Sequence, residues 1–184
     1  MKQTAYVGRS SDEAFFTTDG REIWVSMRGE NYVAVLSGKT FQETRRIKVP
    51  NGPGMMIFSL DGQLAHVTVG GENQVKVFRT DDFTQMASIS IGALPHGLWP
   101  SGDGSRVYVG LKNADAAAVI DTMQNTLIGT IPLGQRPQGV AYVPGAVPSG
   151  PGTDNLQPLG EAGDPVQLSL DAVKDCKIGT GVAT

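Results

Sequence analysis

The sequence predicts an all-β fold of the β-propeller class, with three complete four-stranded blades and parts of a further blade. Asp-Gly pairs recur at a step of 42 residues, beginning at Asp19, Asp61 and Asp103. Apolar positions keep the same step, as they do at Val35, Val77 and Val119. A fixed period in the low forties, filled with short β-type runs between turn signals, is typical of a propeller blade.

The third repeat shows how one blade is built. Four strands are predicted in it, at residues 98–100, 106–110, 117–120 and 126–133. Pro95 and Gly97 lead into the first strand, and Asp103-Gly104 is expected to supply the positive-φ positions of a tight hairpin turn. A single such sheet cannot bury either face alone, so successive blades are expected to stack on one another.

The propeller repeats are predicted over residues 1–146. Three complete units occupy about residues 12–53, 54–95 and 96–137. Residues 1–8 and 138–146 are predicted as partial-blade strands, an outer strand at 2–7 and an inner strand at 138–143. A Gly/Pro-rich linker follows at 147–165, and then a tail at 166–184 with one strand predicted at 166–170. We expect an open arc of blades, and the alternative is a four-bladed ring closed by this tail.

The period also predicts which side chains are buried. Apolar positions expected between sheets are Ile23, Val25, Val33, Val35, Val67, Val75, Val77, Val107, Val109 and Val119. His66 occupies the repeat position of Trp24 and Tyr108, so we expect this histidine to pack between blades. Helix should be nearly absent. In an open arc, the flat apolar faces of the first and last blades are expected to be exposed, and they offer a surface for self-association.

Composition argues against several kinds of partner. The formal net charge is −3, and no block of one sign occurs, so no nucleic-acid partner is predicted. Cys176 is the only cysteine, which rules out an internal disulfide. No apolar run is long enough to span a bilayer, and the first ten residues lack the apolar middle of a secretory signal.

Two stretches carry a family resemblance. The segments FSLDGQLAHVTVGGENQVKVFRTDDFTQMASISIGALP and YVGLKNADAAAVIDTMQNTLIGTIPLGQRP resemble the YVTN-type β-propeller repeat of bacterial surface and periplasmic proteins. The resemblance covers residues 4–144 and implies a periplasmic or extracellular setting. Related propellers include lactonases, haem-d-type nitrite reductases and binding proteins. The usual Pro before Asp-Gly is replaced by Thr18, Leu60 and Gly102.

Propeller topology sorts the loops onto two ends of the blades, and binding residues concentrate on loops of a rigid scaffold. The end opposite the Asp-Gly hairpins carries the candidate ligand-binding residues His96, Arg136, Gln138, Arg28, Glu30, Glu72 and Asn113. His96 is the strongest single candidate, because its repeat equivalents are Gly54 and Gln138 and no histidine recurs there. Asn31, Asn73 and Asp115 do recur, which suits turn formation and needs no ligand.

Catalytic patterns are absent from the sequence. It has no metal-ligand spacing around its two histidines, no Gly-x-Ser-x-Gly elbow, no phosphate loop and no c-type haem attachment motif. No catalytic residue, metal or cofactor is therefore predicted. We expect a non-catalytic binding or interaction scaffold for an unidentified protein or small molecule. The alternatives are a fragment of a lactonase-like or haem-containing reductase-like propeller enzyme, and a purely structural surface repeat.

Overall fold

A computed structural model of the protein describes residues 4–143. Within that range the regular secondary structure is almost entirely β-strand, and the one helix is a single 3₁₀ turn, Gly70–Glu72. The strands are β1 (Ser11–Phe16), β2 (Glu22–Met27), β3 (Tyr32–Ser37), β4 (Glu43–Lys48), β5 (Pro53–Phe58), β6 (Leu64–Val69), β7 (Gln74–Arg79), β8 (Gln85–Ser90), β9 (Pro95–Pro100), β10 (Arg106–Leu111), β11 (Ala116–Asp121) and β12 (Thr126–Pro132). No helix in the described range is long and apolar enough to cross a membrane.

The strands form three four-stranded antiparallel sheets, each built from four strands consecutive in the chain. The sheets are β1 to β4, β5 to β8 and β9 to β12, and we call them the first, second and third blades. Their inner strands keep the predicted step of 42, since they begin at Ser11, Pro53 and Pro95. The all-β, repeated-blade prediction is therefore confirmed.

The Asp-Gly turns are alike in all three blades and differ from the prediction in one respect. Only the glycine of each pair has positive φ, at 70° to 72° in Gly20, Gly62 and Gly104. Asp19 instead accepts hydrogen bonds from the Thr17 hydroxyl at 2.7 Å and from the Arg21 backbone N–H at 3.0 Å. These bonds fix the aspartate as a turn-stabilising acceptor, so the left-handed residue is the glycine that follows it.

Two apolar clusters hold the blades together. Val33 and Val35 of the first blade pack with Val67 and Phe58 of the second blade. The next cluster joins Val75, Val77 and Ile89 of the second blade to Val107 and Val109 of the third. In a single sheet both faces would be exposed to solvent. Here each blade buries an apolar face against its neighbour, as stacked repeats require.

Eight of the ten side chains predicted to be buried are buried, and two are only half-buried. The exceptions are Ile23 and Val119. Ile23 is on the face of the first blade that points away from the second, and Val119 is on the face of the third blade that points away from the second. For Val119, the described range has no blade beyond this face, and Ile23 lies at the border of a cluster that is otherwise buried.

The two partial-blade strands are not observed in the described range. Residues 4–7 and 138–143 have no strand assignment. A strand forms only beside a pairing partner, and the described range includes neither a third strand to pair with residues 4–7 nor a second strand to pair with residues 138–143. Residues 138–143 nevertheless lie against the third blade. The Gly97 N–H donates to the Gln138 carbonyl at 2.9 Å, and Tyr142 stacks on Tyr108 with ring centroids 5.9 Å apart. The predicted linker at 147–165 and the tail at 166–184 lie outside the described residues.

The outer faces of the first and third blades differ. The expectation of an exposed face on the first blade is wrong, since Val25, Met27, Ala34 and Leu36 form a buried cluster on which Val7 packs. One contact that holds Val7 there is the hydrogen bond from the Tyr32 hydroxyl to its carbonyl, at 3.1 Å. On the third blade, by contrast, every residue of β12 is exposed.

Candidate functional site

The loops that join successive blades are fixed by three side chains at a step of 42. Asn31, Asn73 and Asp115 all have positive φ. The side-chain oxygen of each accepts a hydrogen bond, 2.9 to 3.0 Å long, from a backbone N–H 21 residues further along, in Gly52, Leu94 and Arg136 respectively. These three residues are turn formers. Arg136 contributes its backbone to the loop, and its side chain is exposed, as is the side chain of Asn113.

The start of each inner strand carries a polar or small residue at the same repeat position: Asp12, Gly54, His96 and, beyond the third blade, Gln138. His96 lies on β9 and is half-buried, whereas the sequence placed it in a loop. Its Nδ1 is 3.0 Å from the Gln138 carbonyl. A carbonyl only accepts, so in this contact Nδ1 is the donor. The His96 carbonyl in turn accepts from the Thr68 hydroxyl at 3.0 Å.

Arg28 reaches the same region from the first blade. Its Nη1 is 3.4 Å from a carboxylate oxygen of Asp12, and its Nη2 would be 3.8 Å from a Cβ on Gly70. On the other side, a Cβ on Gly70 would be 3.2 Å from Leu94, which precedes β9. A side chain at Gly70 would thus crowd Leu94 and would make only ordinary contact with the guanidinium, which lies close to this glycine. We call Asp12, Arg28, Thr68, His96 and Gln138 the inner-strand cluster.

Glu72 and Glu30 have separate partners. Glu72 accepts from Asn51 Nδ2 at 2.9 Å and pairs with Lys76 Nζ at 2.7 Å. The hydrogen bond from Lys76, followed by that from Asn51, lowers the pKa of Glu72 below its ordinary value. Glu30 instead accepts from the Arg9 backbone N–H at 2.6 Å. The two glutamates have no partner in common, and the structure does not join them as an acid and base pair.

The structure brings only some of the seven predicted residues into contact. His96 and Gln138 are in contact, and Arg28 reaches toward them through Asp12 and Gly70. Glu30, Glu72, Asn113 and Arg136 belong to separate loops. Sequence reasoning missed Asp12 and Thr68, although Asp12 is two periods before His96 and could have been found from the step of 42. Among residues 4–143, no group of three His, Cys, Asp or Glu side chains could hold a metal ion.

Two clefts lie at the opposite end of the blades, beside the Asp-Gly turns. The larger, of about 540 Å³, lies between the first and second blades and is lined by Asp19, Arg45 and Phe83 among others. The smaller, of about 300 Å³, lies between the second and third blades, and His66 lines it. His66 is buried, as its repeat position predicted.

Solved structures of other proteins share this architecture. Hydrazine synthase of Kuenenia stuttgartiensis matches at 20% identity with a TM-score of 0.68, over 76% of this chain and 41% of that chain. The likeness establishes the β-propeller fold. A periplasmic gluconolactonase of Pseudomonas aeruginosa matches at 20% identity and a TM-score of 0.62, over 70% of this chain and 41% of that chain.

The Swd1 β-propeller domain of Myceliophteria thermophila matches at 10% identity and a TM-score of 0.62, over 73% of this chain and 45% of that chain. The chain thus spans less than half the length of each of these three propeller structures. At these identities the likeness concerns the fold alone. No protein-family model and no curated protein sequence matches the chain.

Proposed function

We propose that this chain is a non-catalytic interaction scaffold of the YVTN β-propeller type, which docks a further four-stranded blade on its third blade. One observation supports the proposal. The third blade exposes apolar positions that are buried in both other blades. We call Tyr108, Val119, Ile131 and Leu133 the open face.

The equivalent positions of the second blade show how exposed the residues of the open face would be if a further blade covered them. Ile131 and Leu133 are 45% and 39% exposed, whereas Ile89 and Ile91, one period earlier, are 4% and 2% exposed. Those two isoleucines are covered by the third blade. Burying a large aliphatic side chain contributes about 1.5 to 3 kcal/mol, so a sheet that covered the open face in the same way would gain several such contributions.

In the isolated chain, the further blade is supplied by a second copy. Each copy has one open face, so the open faces of two copies can cover each other. A ligand would bind at the loop end that carries the inner-strand cluster, where Arg28, His96 and Gln138 present polar groups together with the nearby loop residues Glu30, Glu72, Asn113 and Arg136. The YVTN resemblance and the periplasmic gluconolactonase among the structural neighbours support a periplasmic or extracellular setting.

Analytical ultracentrifugation of the full chain tests the proposal. We expect concentration-dependent association, which Ile131→Lys weakens by about tenfold to a hundredfold because it removes one buried aliphatic contact and adds a charge to the interface. The matched control is Thr130→Lys, one residue away on the other face of β12. Its repeat equivalent is Arg46, so a long basic side chain fits this position.

Two results would contradict the proposal. One is a monomer at all concentrations with a sharp cooperative melt, which would indicate that no further blade is needed. The other is equal weakening of association by Ile131→Lys and Thr130→Lys, which would show that the chain does not associate through the open face. The enzyme alternative is tested in parallel, since saturable turnover of a sugar lactone or a defined haem complex, lost in His96→Ala, would establish it instead.

A further inference from the structure

Three buried polar atoms in the described residues have no hydrogen-bond partner. They are both ring nitrogens of His66 and the side-chain oxygen of Asn125. His66 is 1% exposed, so water does not solvate the ring from outside. A buried polar group without a partner costs free energy, and each such group in a folded protein calls for a specific explanation.

The repeat shows that these atoms replace an aromatic cluster. Between the first and second blades, the Trp24 ring lies 5.3 Å from the Phe58 ring and 5.6 Å from the Phe83 ring, measured between centroids. One period later the corresponding residues are His66, Pro100 and Asn125. The second interface thus has hydrogen-bonding groups where the first has an apolar cluster. Pure packing explains the first set, but it leaves the polar atoms of the second set unsatisfied.

Of His66 and Asn125, the histidine lines an open cleft with acidic walls. The cleft of about 300 Å³ is lined by His66, by Leu60 and Leu64, and by the carboxylates of Asp61 and Asp103. Each carboxylate accepts hydrogen bonds from serine hydroxyls and backbone N–H groups of its own turn. Neither forms an ion pair with a basic side chain in the part of the chain that the structure describes.

We infer that the cleft between the second and third blades binds a small hydroxylated primary amine. The groups that the cleft offers to a ligand are mostly acceptors: two carboxylates without a counter-ion among the described residues and one nitrogen of a neutral imidazole. A primary ammonium supplies three donors and the positive charge. A hydroxyl group supplies the acceptor that the remaining His66 N–H needs, and the carbon skeleton contacts Leu60 and Leu64. The site lies at the opposite end of the blades from the inner-strand cluster and does not depend on association through the open face.

Two features keep the charge of this cleft negative and its histidine neutral. Hydrogen bonds from Ser101, and then from Ser105, lower the pKa of Asp103 to about 2, and a hydrogen bond from Ser59 lowers the pKa of Asp61. Burial lowers the pKa of His66 to about 4. Near neutral pH the cleft therefore attracts cations and repels anions, while His66 offers one donor and one acceptor.

Titration followed by NMR of the histidine rings tests the inference. The chain has only two histidines, so the His66 and His96 ring signals are assigned with one substitution. We expect ethanolamine, at constant ionic strength, to shift the His66 signals saturably and to leave the His96 signals in place. Ethylene glycol, which lacks the ammonium, and glycolate, which is an anion, should produce no saturable shift at the same concentrations.

Substitutions link any shift to the cleft. Asp61→Asn with Asp103→Asn should weaken ethanolamine binding by about tenfold or more, because charge-assisted hydrogen bonds are lost while the amide oxygen keeps the turn contacts. Asp19→Asn is the control, since it removes one carboxylate charge from the equivalent turn of the first blade, outside this cleft. The inference is overturned if ethanolamine causes no saturable shift, if ethylene glycol shifts His66 equally, or if Asp19→Asn weakens binding as much as the double substitution.

Discussion

The indole of Trp24 packs edge-on against Phe58, with ring centroids 5.3 Å apart and ring planes at 86°. This contact joins β2 of the first blade to β5 of the second. The same repeat position carries His66 in the second blade and Tyr108 in the third. The environment of this position therefore differs in each blade. Trp24 makes an apolar contact, His66 lines a cleft, and Tyr108 is partly exposed on the third blade.

The first prediction compares two of these rings. Trp24→Ala should destabilise the fold by about 3 to 5 kcal/mol, because it removes a fully buried aromatic side chain and leaves a cavity. Tyr108→Ala should cost less, since Tyr108 is half-buried and its ring stacks on that of Tyr142 near the end of the described residues. Chemical denaturation followed by circular dichroism measures both. Equal losses would mean that the third blade is as tightly covered as the first.

The second prediction concerns the turn glycines. Gly20 and Gly62 have the same positive φ, but a Cβ on Gly20 would meet nothing within 4 Å, whereas a Cβ on Gly62 would be 2.1 Å from the Thr18 hydroxyl oxygen. Gly20→Ala should therefore cost about 1 kcal/mol, the penalty for a left-handed alanine. Gly62→Ala should cost more than Gly20→Ala.

A third substitution separates the two causes of that difference. Thr18→Gly removes the side chain that a Cβ on Gly62 would meet, so in the Thr18→Gly background the cost of Gly62→Ala should fall to that of Gly20→Ala. Thermal melts of the four variants measure the effect. An undiminished cost of Gly62→Ala in the Thr18→Gly background would show that the first and second blades do not approach each other at this turn.

The period in the sequence allowed the strands and most of the core to be predicted, because residues 42 apart have the same environment. It could not indicate where that equivalence ends. Val119 and Ile131 have buried counterparts, but their own exposure depends on whether a blade follows them. His66 was expected to pack between blades, and the structure confirms that it is buried. Whether the two ring nitrogens of His66 have hydrogen-bond partners depends on the residues that surround the ring, and the sequence pattern does not indicate those residues.

Lys76 shows the opposite case, in which the signal was present but unused. Its repeat equivalents are Ala34 and Ala118, so a lysine in the middle of a third strand breaks the period. The structure buries Lys76 to 7% exposure and pairs its ammonium with Glu72 at 2.7 Å. Glu72 was predicted to bind a ligand, and its carboxylate is held by this lysine and by Asn51.

The third prediction follows from that pair. Glu72→Gln should destabilise the fold by about 3 kcal/mol or more, because it leaves the Lys76 charge buried without its counter-ion. Adding Lys76→Met should restore most of the loss, since the charge is then absent and the site holds alanine in both other blades. A double-mutant cycle in urea checks this. If Lys76→Met costs as much as Glu72→Gln and the losses add, the two side chains do not interact.

The last prediction concerns pH. Burial lowers the pKa of His66 from 6.5 to about 4, because the imidazolium would be desolvated without a partner. Between these two pH values the unfolded chain binds a proton that the folded chain does not, so the free energy of unfolding falls as the pH is lowered through this window. The fall attributable to His66 is up to roughly 3 kcal/mol.

His66→Phe should flatten the dependence of the unfolding free energy on pH between 6.5 and 4. It should also raise stability at pH 7, because aromatic rings occupy this position in both other blades and the unsatisfied nitrogens are removed. His96→Gln is the control, because it removes the other histidine and should leave the His66 contribution intact. Urea denaturation at half-unit pH steps measures all three proteins, and an unchanged slope in His66→Phe would show that the imidazole is hydrated or paired in solution.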